Sequence, residues 1–265
     1  MQLTDAEIAD FHRDGYLFFS SLFSEAEMAP LLKDAPALLE RDGPEVVKEH
    51  DGSGAVRLAY GADAFYESFA RMSRHPRLLG PVRQLLGEEA YIHQTRLNPK
   101  QDYGGAAWDW HQDFGSWHRA DAMPEPRAIM TAVFLDAATA ANAPLLIVPG
   151  SQHHGLVEEV GQSAVSGYVL HVIDRPTLGR LAGKGGIVPL TGPLGSVCFL
   201  HCNIVHGSAN NITPYRRAIW YVNYNAVSNA CRNETRAWHH NNRDHRPLTP
   251  LADDCLEALA GAAAV

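Results

Sequence analysis

From Ala90 onward the chain is written in short apolar runs separated by glycine, proline and asparagine, and this punctuation constrains the fold more than any other feature. Runs of this length with turn signals between them suit an antiparallel sandwich or jelly roll, not alternating β and α units. Candidate strands are Ala90 to Leu97, Ala107 to Asp113, Arg127 to Leu135, Leu145 to Val148, Gly167 to Val172, Ser196 to Leu200 and Arg217 to Asn225. The preceding segment reads differently. Thr4 with Glu7 and Ser24 with Glu27 fit the capping box, in which hydroxyl and carboxylate satisfy orphan amides at a helix start. Between them Gly15 to Phe19 has strand character. Met28, Leu31, Leu32, Ala35, Leu38 and Leu39 recur at helical spacing, with Pro30 and Pro36 expected to bend or interrupt that helix. Gly43 to Gly54 reads as a loop, Val56 to Tyr60 as a strand, and Ala62 to Leu86 as helical pattern ending at Gly87. The fold class is therefore mainly β with flanking helices, in one domain: residues 1–89 a mainly helical brace, 90–230 a barrel core, and 231–265 a tail that ends alanine-rich.

A formal net charge of −8 over 265 residues, with no basic run to offset it, excludes a nucleic-acid footprint and leaves small molecules as the expected partners. Cys198, Cys202, Cys231 and Cys255 form no C-x-x-C pair, and the amino terminus lacks the basic and apolar regions of a signal peptide. The chain reads as reduced and cytoplasmic, with no span for a membrane.

Within the strand region, Trp108-Asp109-Trp110-His111-Gln112-Asp113-Phe114 carries chemistry. Successive side chains of an extended segment point to opposite faces, so His111 and Asp113 project together while Gln112 points away. Joined by a histidine from elsewhere, the pair makes a two-His-one-carboxylate facial triad with open coordination positions, which suits iron(II) and oxygen. Alone, His-x-Asp arises by chance in many chains. A second segment, Phe199 to Ser208, supplies His201 and His206 as alternatives for the third ligand, and Arg216 and Arg217 follow at the head of another apolar strand. Gln94, Arg96 and Asn98 share one face of the first candidate strand, with Tyr91, His93, Thr95 and Leu97 on the other. Such a polar face either meets solvent or, turned inward, binds something.

Together, His111-x-Asp113, Met123-Pro124-x-Pro126-Arg127-Ala128, Pro144-Leu145-x-x-x-Pro149-Gly150-Ser151, Gly185-Gly186-Ile187 and Cys202-Asn203-x-x-His206-Gly207-Ser208 resemble the phytanoyl-CoA dioxygenase superfamily, within it the ectoine hydroxylase group. The resemblance implies a double-stranded β-helix, or cupin-like jelly roll, and the cofactors iron(II), 2-oxoglutarate and oxygen. Carried over by position, His111, Asp113 and His206 are the metal ligands, and Arg217 pairs with the distal carboxylate of 2-oxoglutarate. Arginine suits that task because it is always charged and its fork matches a carboxylate. Arg216 faces the other way. The resemblance further assigns Ser208, Gln94, Asn98 and Trp108 to 2-oxoglutarate, and Arg96, Trp117 and Ser116 to substrate. Met130 and Leu200 stand where the ectoine group commonly has a serine and an aromatic residue, so they are substrate-wall positions at which this chain departs. The implied reaction is hydroxylation of an unactivated C–H bond with release of succinate and carbon dioxide; an intact Asp113 argues against halogenation. The expected substrate is a small polar metabolite, an amino acid derivative or natural-product intermediate other than ectoine, acted on by a monomer or homodimer. Desaturation, ring formation and a metal-binding barrel without oxygenase activity are the competing readings. His153-His154, His239-His240 and His118 read as surface residues, Gly183, Gly185 and Gly186 as a turn, and the loops Gly115 to Pro126 and Gly150 to Gly167 as candidate lids.

Overall fold

In the computed structural model, which describes residues 1–158, 160–163 and 169–262, the amino-terminal segment runs α1 (Asp5–Asp14), β1 (Tyr16–Phe19), α2 (Glu25–Leu39), β2 (Val46–Lys48), β3 (Val56–Tyr60), α3 (Ala62–Phe65), α4 (Glu67–Ser73) and α5 (Pro76–Leu86). Both capping boxes are formed, Thr4 with Glu7 and Ser24 with Glu27. Helix α2 runs unbroken through Pro30 and Pro36, while the helical pattern from Ala62 divides into three short helices. Then follow β4 (Ala90–Asn98), β5 (Trp108–His111), α6 (Asp113–Asp121), β6 (Ala128–Phe134), β7 (Leu145–Val148), β8 (Val160–Ser163), β9 (Leu170–Ile173), α7 (Arg175–Gly185), β10 (Val188–Leu190), β11 (Val197–His201), β12 (Val205–Ser208), β13 (Ile219–Ala226) and α8 (Glu257–Ala262).

The strands form two antiparallel sheets, one ordered β1-β11-β6-β13-β4-β3-β2 and the other β10-β7-β12-β5-β9-β8. Side-chain alternation divides the core in two. Val133, Phe199, Trp220, Val222 and Leu97 leave the larger sheet outward and bury against Met28, Leu31, Phe69, Leu79 and Val82 of the helices. Met130, Ala132, Leu200, Ile219 and Tyr221 leave it inward and meet Leu145, Ile147 and Leu190 of the smaller sheet. The amino-terminal segment therefore braces the outer face and also supplies β1, β2 and β3 to the same sheet. The result is a mainly β jelly roll with flanking helices.

Two stretches expected to be loops are regular. Gly115 to Pro126 is mostly α6, and Gly183 and Gly185 belong to α7, which Asp174 caps through the Thr177 amide. Of the Gly150 to Gly167 loop, Ser151–His154 form a 3-10 turn and Val160–Ser163 a strand, and its last residues lie outside the described residues, as does the start of the candidate strand at Gly167. Among the described residues no helix is long and apolar enough to cross a membrane.

Candidate metal centre and cosubstrate pocket

Strands β5 and β12 are antiparallel neighbours, and their register places the Cα of His206 opposite that of His111. The two imidazole centroids are 4.2 Å apart. Beyond His111 the strand ends, yet Gln112 stays extended (φ −118°, ψ 125°), so Asp113 returns to the side of His111 just as it opens α6. Gln112 turns the opposite way and pins the junction, donating to the carbonyls of Gly155 and Asn203 at 2.9 Å each and accepting from the Val157 amide at 3.0 Å. Asp113 Oδ1 lies 3.4 Å from His111 Nε2 and 4.0 Å from His206 Nε2, and all three residues are at most 3% exposed.

The donor set fits a metal ion. Each histidine is oriented by its own chain: Nδ1 of His111 faces the Asp109 carbonyl at 2.6 Å, and Nδ1 of His206 the Ile204 carbonyl at 3.0 Å. A carbonyl only accepts, so these contacts place the proton on Nδ1 and leave the Nε2 lone pair for a metal. Burial and the neighbouring His111 push His206 down to about 3, which keeps it a neutral ligand. Burial by itself would raise Asp113, but Arg96 and the two histidines outweigh it and hold the carboxylate well below its usual range. Two imidazoles and one carboxylate with open positions suit iron(II). Gly207 is required by the close approach of the strands: a Cβ there would stand 2.9 Å from the Trp108 carbonyl oxygen.

A cavity of about 20 Å³ opens beside this group, lined by residues that include Asn98, Trp108, Ser208, Arg217 and Tyr221. That is room for about one water. Arg217 is 1% exposed and is held from behind, Nε and Nη2 donating to the Ala143 carbonyl at 3.1 and 3.0 Å, while Nη1 has no hydrogen-bond partner among the described residues. A buried cationic donor left over beside a cavity is costly unless an anion arrives. Arg216 faces outward and pairs with Asp136 at 2.8 and 3.0 Å.

Register orders the inner face of the larger sheet into rows. Leu200, Met130, Asn223 and Gln94 lie side by side across β11, β6, β13 and β4; Tyr221 and Arg96 form the next row, and Ile219 and Asn98 the one after. Gln94 is thus separated from Asn98 by about 13 Å at about 3.3 Å per residue. Its amide donates to the His240 carbonyl at 3.0 Å, and Gln94 does not line the cavity that Asn98 and Arg217 share. Arg96 lines the cavity, and its guanidinium forks onto Asp113, Nη2 to Oδ2 and Nη1 to Oδ1. Ser116 is buried, its hydroxyl without a hydrogen-bond partner among the described residues, and borders a cleft with Arg119, His171 and Arg236. Trp117 stands edge-on to His93 at 5.0 Å. Trp117, Met130 and Leu200 belong to the inner apolar core.

A bulge in β4, where Asn223 pairs with Gln94 but Tyr224 with Ile92, reverses the alternation. Tyr91 and His93 therefore leave the face of Thr95 and Leu97, Tyr91 meeting Asn225 and His93 meeting Trp117. His93, Asp121 and Cys231 form a second buried group, but the Asp121 carboxylate approaches His93 Nε2 (3.5 Å) and the thiol approaches Nδ1 (3.7 Å), on opposite edges of the ring. Arg236 already pairs with Asp121, and burial holds the thiol protonated, pushed up to about 12. Nothing there favours a cation. His239 is buried against Tyr60 rather than on the surface, whereas His118 is exposed.

His201 lies on β11 beside Phe11, outside the metal group. One cavity residue was legible but unread: Tyr221 shares the parity of Arg217. Lys100 is 2% exposed; burial and the nearby Arg217 push it down to about 6. Arg57 stacks on Trp108 with its guanidinium carbon 3.9 Å from the ring centroid.

Comparison with known proteins agrees with this geometry. The Phytanoyl-CoA dioxygenase (PhyH) family profile matches residues 11–219. L-Proline trans-4-hydroxylase of Streptomyces griseoviridis is 38% identical over 264 residues, covering 96% of this chain and 98% of its own length. Ectoine dioxygenase of Bordetella parapertussis is 38% identical over 240 residues, covering 86% of this chain and 77% of its own. The crystal structure of EctD from S. alaskensis with 2-oxoglutarate and 5-hydroxyectoine superimposes with a TM-score of 0.83 at 34% identity, covering 94% of this chain and 87% of the other. On the match across most of its length and the shared jelly roll, the chain belongs to the phytanoyl-CoA dioxygenase family and is an iron(II)- and 2-oxoglutarate-dependent dioxygenase.

Proposed function

We propose that this enzyme hydroxylates a small free amino acid or cyclic imino acid, holding iron(II) through His111 Nε2, Asp113 Oδ1 and His206 Nε2. The carrying observation is the convergence of those three buried ligand atoms within 4.8 Å of one another, with the spare donor of Arg217 beside the adjoining cavity. In this reading Arg217 takes the distal carboxylate of 2-oxoglutarate, with Asn98, Ser208 and Trp108 as its walls and Tyr221 beside the guanidinium. When bound, iron(II) with oxygen and 2-oxoglutarate supplies the oxidising power, and succinate and carbon dioxide leave. The chain's own part is to bind, orient and exclude water.

Substrate is placed against Ser116, Trp117 and the Met130–Leu200 end of the inner face. Similarity along the whole length of the proline hydroxylase supports an imino acid of that size. Met130 and Leu200 make the wall less polar and less aromatic than the ectoine group's pattern, which argues against ectoine. We further place the enzyme in the cytoplasm as a monomer or homodimer, in keeping with four buried free cysteines.

The test is reconstitution with iron(II) under oxygen, following succinate against a panel of amino acids, cyclic imino acids and ectoine. Substrate-stimulated succinate with a hydroxylated product is expected for an imino or amino acid. Succinate no higher than in Asp113→Ala with every candidate would overturn the proposal.

A further inference from the structure

We propose that Arg96 is a positioning residue for the metal: it occupies Oδ2 of Asp113 so that the carboxylate offers only Oδ1 to the ion. The inference rests on the iron and 2-oxoglutarate reading of the site and concerns how the ligand set is kept to three atoms.

Asp113 shows two different oxygens. Oδ1 is the one aimed at the histidines, 3.4 Å from His111 Nε2 and 4.0 Å from His206 Nε2. Oδ2 is the close partner of Arg96 Nη2, while Nη1 approaches Oδ1 only at 3.4 Å. Arg96 is fixed for this role. It sits mid-strand in β4, with Tyr60 and Tyr221 as its Cα partners on either side, is 7% exposed, and has its guanidinium carbon 5.0 Å from the Tyr221 ring centroid. An arginine fork against a carboxylate is directional as well as strong, which a lysine ammonium is not. Asp113 itself is the first residue of α6, directly after the N-cap Gln112.

The consequence follows from counting positions on an octahedral ion. Three protein atoms leave three positions; a keto acid chelating through two oxygens takes two of them and one remains. Were Asp113 to bind through both oxygens, the chelate would fill the ion and nothing would remain. A guanidinium on Oδ2 removes that option at the cost of one buried ion pair. The buried arginine at the site is thereby explained without assigning it to substrate.

The test uses the full chain loaded anaerobically with cobalt(II), then with iron(II) and 2-oxoglutarate, in wild type, Arg96→Gln and Arg96→Lys. The expected result for Arg96→Gln is a folded protein that still takes up one cobalt(II) per chain but shows an altered cobalt ligand-field spectrum. With iron(II), its succinate formation falls roughly a hundredfold. Arg96→Lys should restore part of both, because a single cation still engages Oδ2. A cobalt spectrum in Arg96→Gln superimposable on wild type would overturn the proposal, as would complete loss of metal from folded Arg96→Gln. Because the cobalt spectrum is read without turnover, failure of the oxygenase reading and failure of this inference are told apart.

Discussion

Replacing Arg217 with lysine keeps a nominal cation and removes the fork, and the surroundings indicate how severe that is. Nε and Nη2 both lean on the Ala143 carbonyl, leaving Nη1 and the second hydrogen of Nη2 for an incoming carboxylate. Two charge-assisted bonds at about 1.5–3 kcal/mol each amount to roughly 3–6 kcal/mol, a hundredfold or more in affinity. Lysine recovers little of this. Burial, which already pulls Arg217 below its usual value, disfavours the charged form of an ammonium at position 217 as well. Arg217→Lys should therefore raise KM for 2-oxoglutarate at least a hundredfold, with a matching rise in Kd by anaerobic titration and less than a tenfold loss of kcat at saturation. A melting temperature taken alongside separates this from loss of the Ala143 contacts. KM within threefold of wild type in the folded variant would refute the assignment of Arg217 and the reasoning behind it.

Gly207→Ala should force β12 away from β5, because its Cβ would meet the Trp108 carbonyl at 2.9 Å; iron affinity should fall tenfold or more while the fold persists, and unchanged affinity would count against strand spacing as what aligns His206. Metal-free protein should lose stability in acid. His201 and His240 are held down by burial to about 4 and about 3, so below the unfolded histidine value of about 6.5 the unfolded chain binds protons that the native state refuses. Their contribution is complete above that value and declines toward pH 3–4; a denaturation midpoint flat between pH 7 and 5 would contradict it. Met130→Ser with Leu200→Phe should shift the kcat/KM ratio of ectoine to proline toward ectoine, by about 1–3 kcal/mol for each change. An unmoved ratio would show that this end of the inner face does not touch substrate.

Much of the site was readable because alternation is local. His111 and Asp113 share a side through Gln112, and that remained true even though the strand stops at His111 and Asp113 belongs to a helix. What no local pattern contains is register: that His206 lies opposite His111, or that a bulge at His93 turns Tyr91 inward, is decided by partners far along the chain. Gln94 shares the inner face expected for it, and its row is set by register with Asn223, since alternation says nothing of distance along the strand. Helices α6 and α7 were obscured by Gly115 and by Gly179, Gly183 and Gly185, poor helix residues that packing and the Asp174 cap tolerate. Tyr221 continues the parity of Arg217.

The proposed third ligand is His206, across the strand pair from His111, and not His201. Anaerobic titration with iron(II), with metal content and 2-oxoglutarate turnover measured on wild type, His201→Ala and His206→Ala, tests it most directly. One iron per chain and active wild type and His201→Ala, with His206→Ala empty and inactive, is the predicted result; iron retained by His206→Ala and lost from His201→Ala would contradict it.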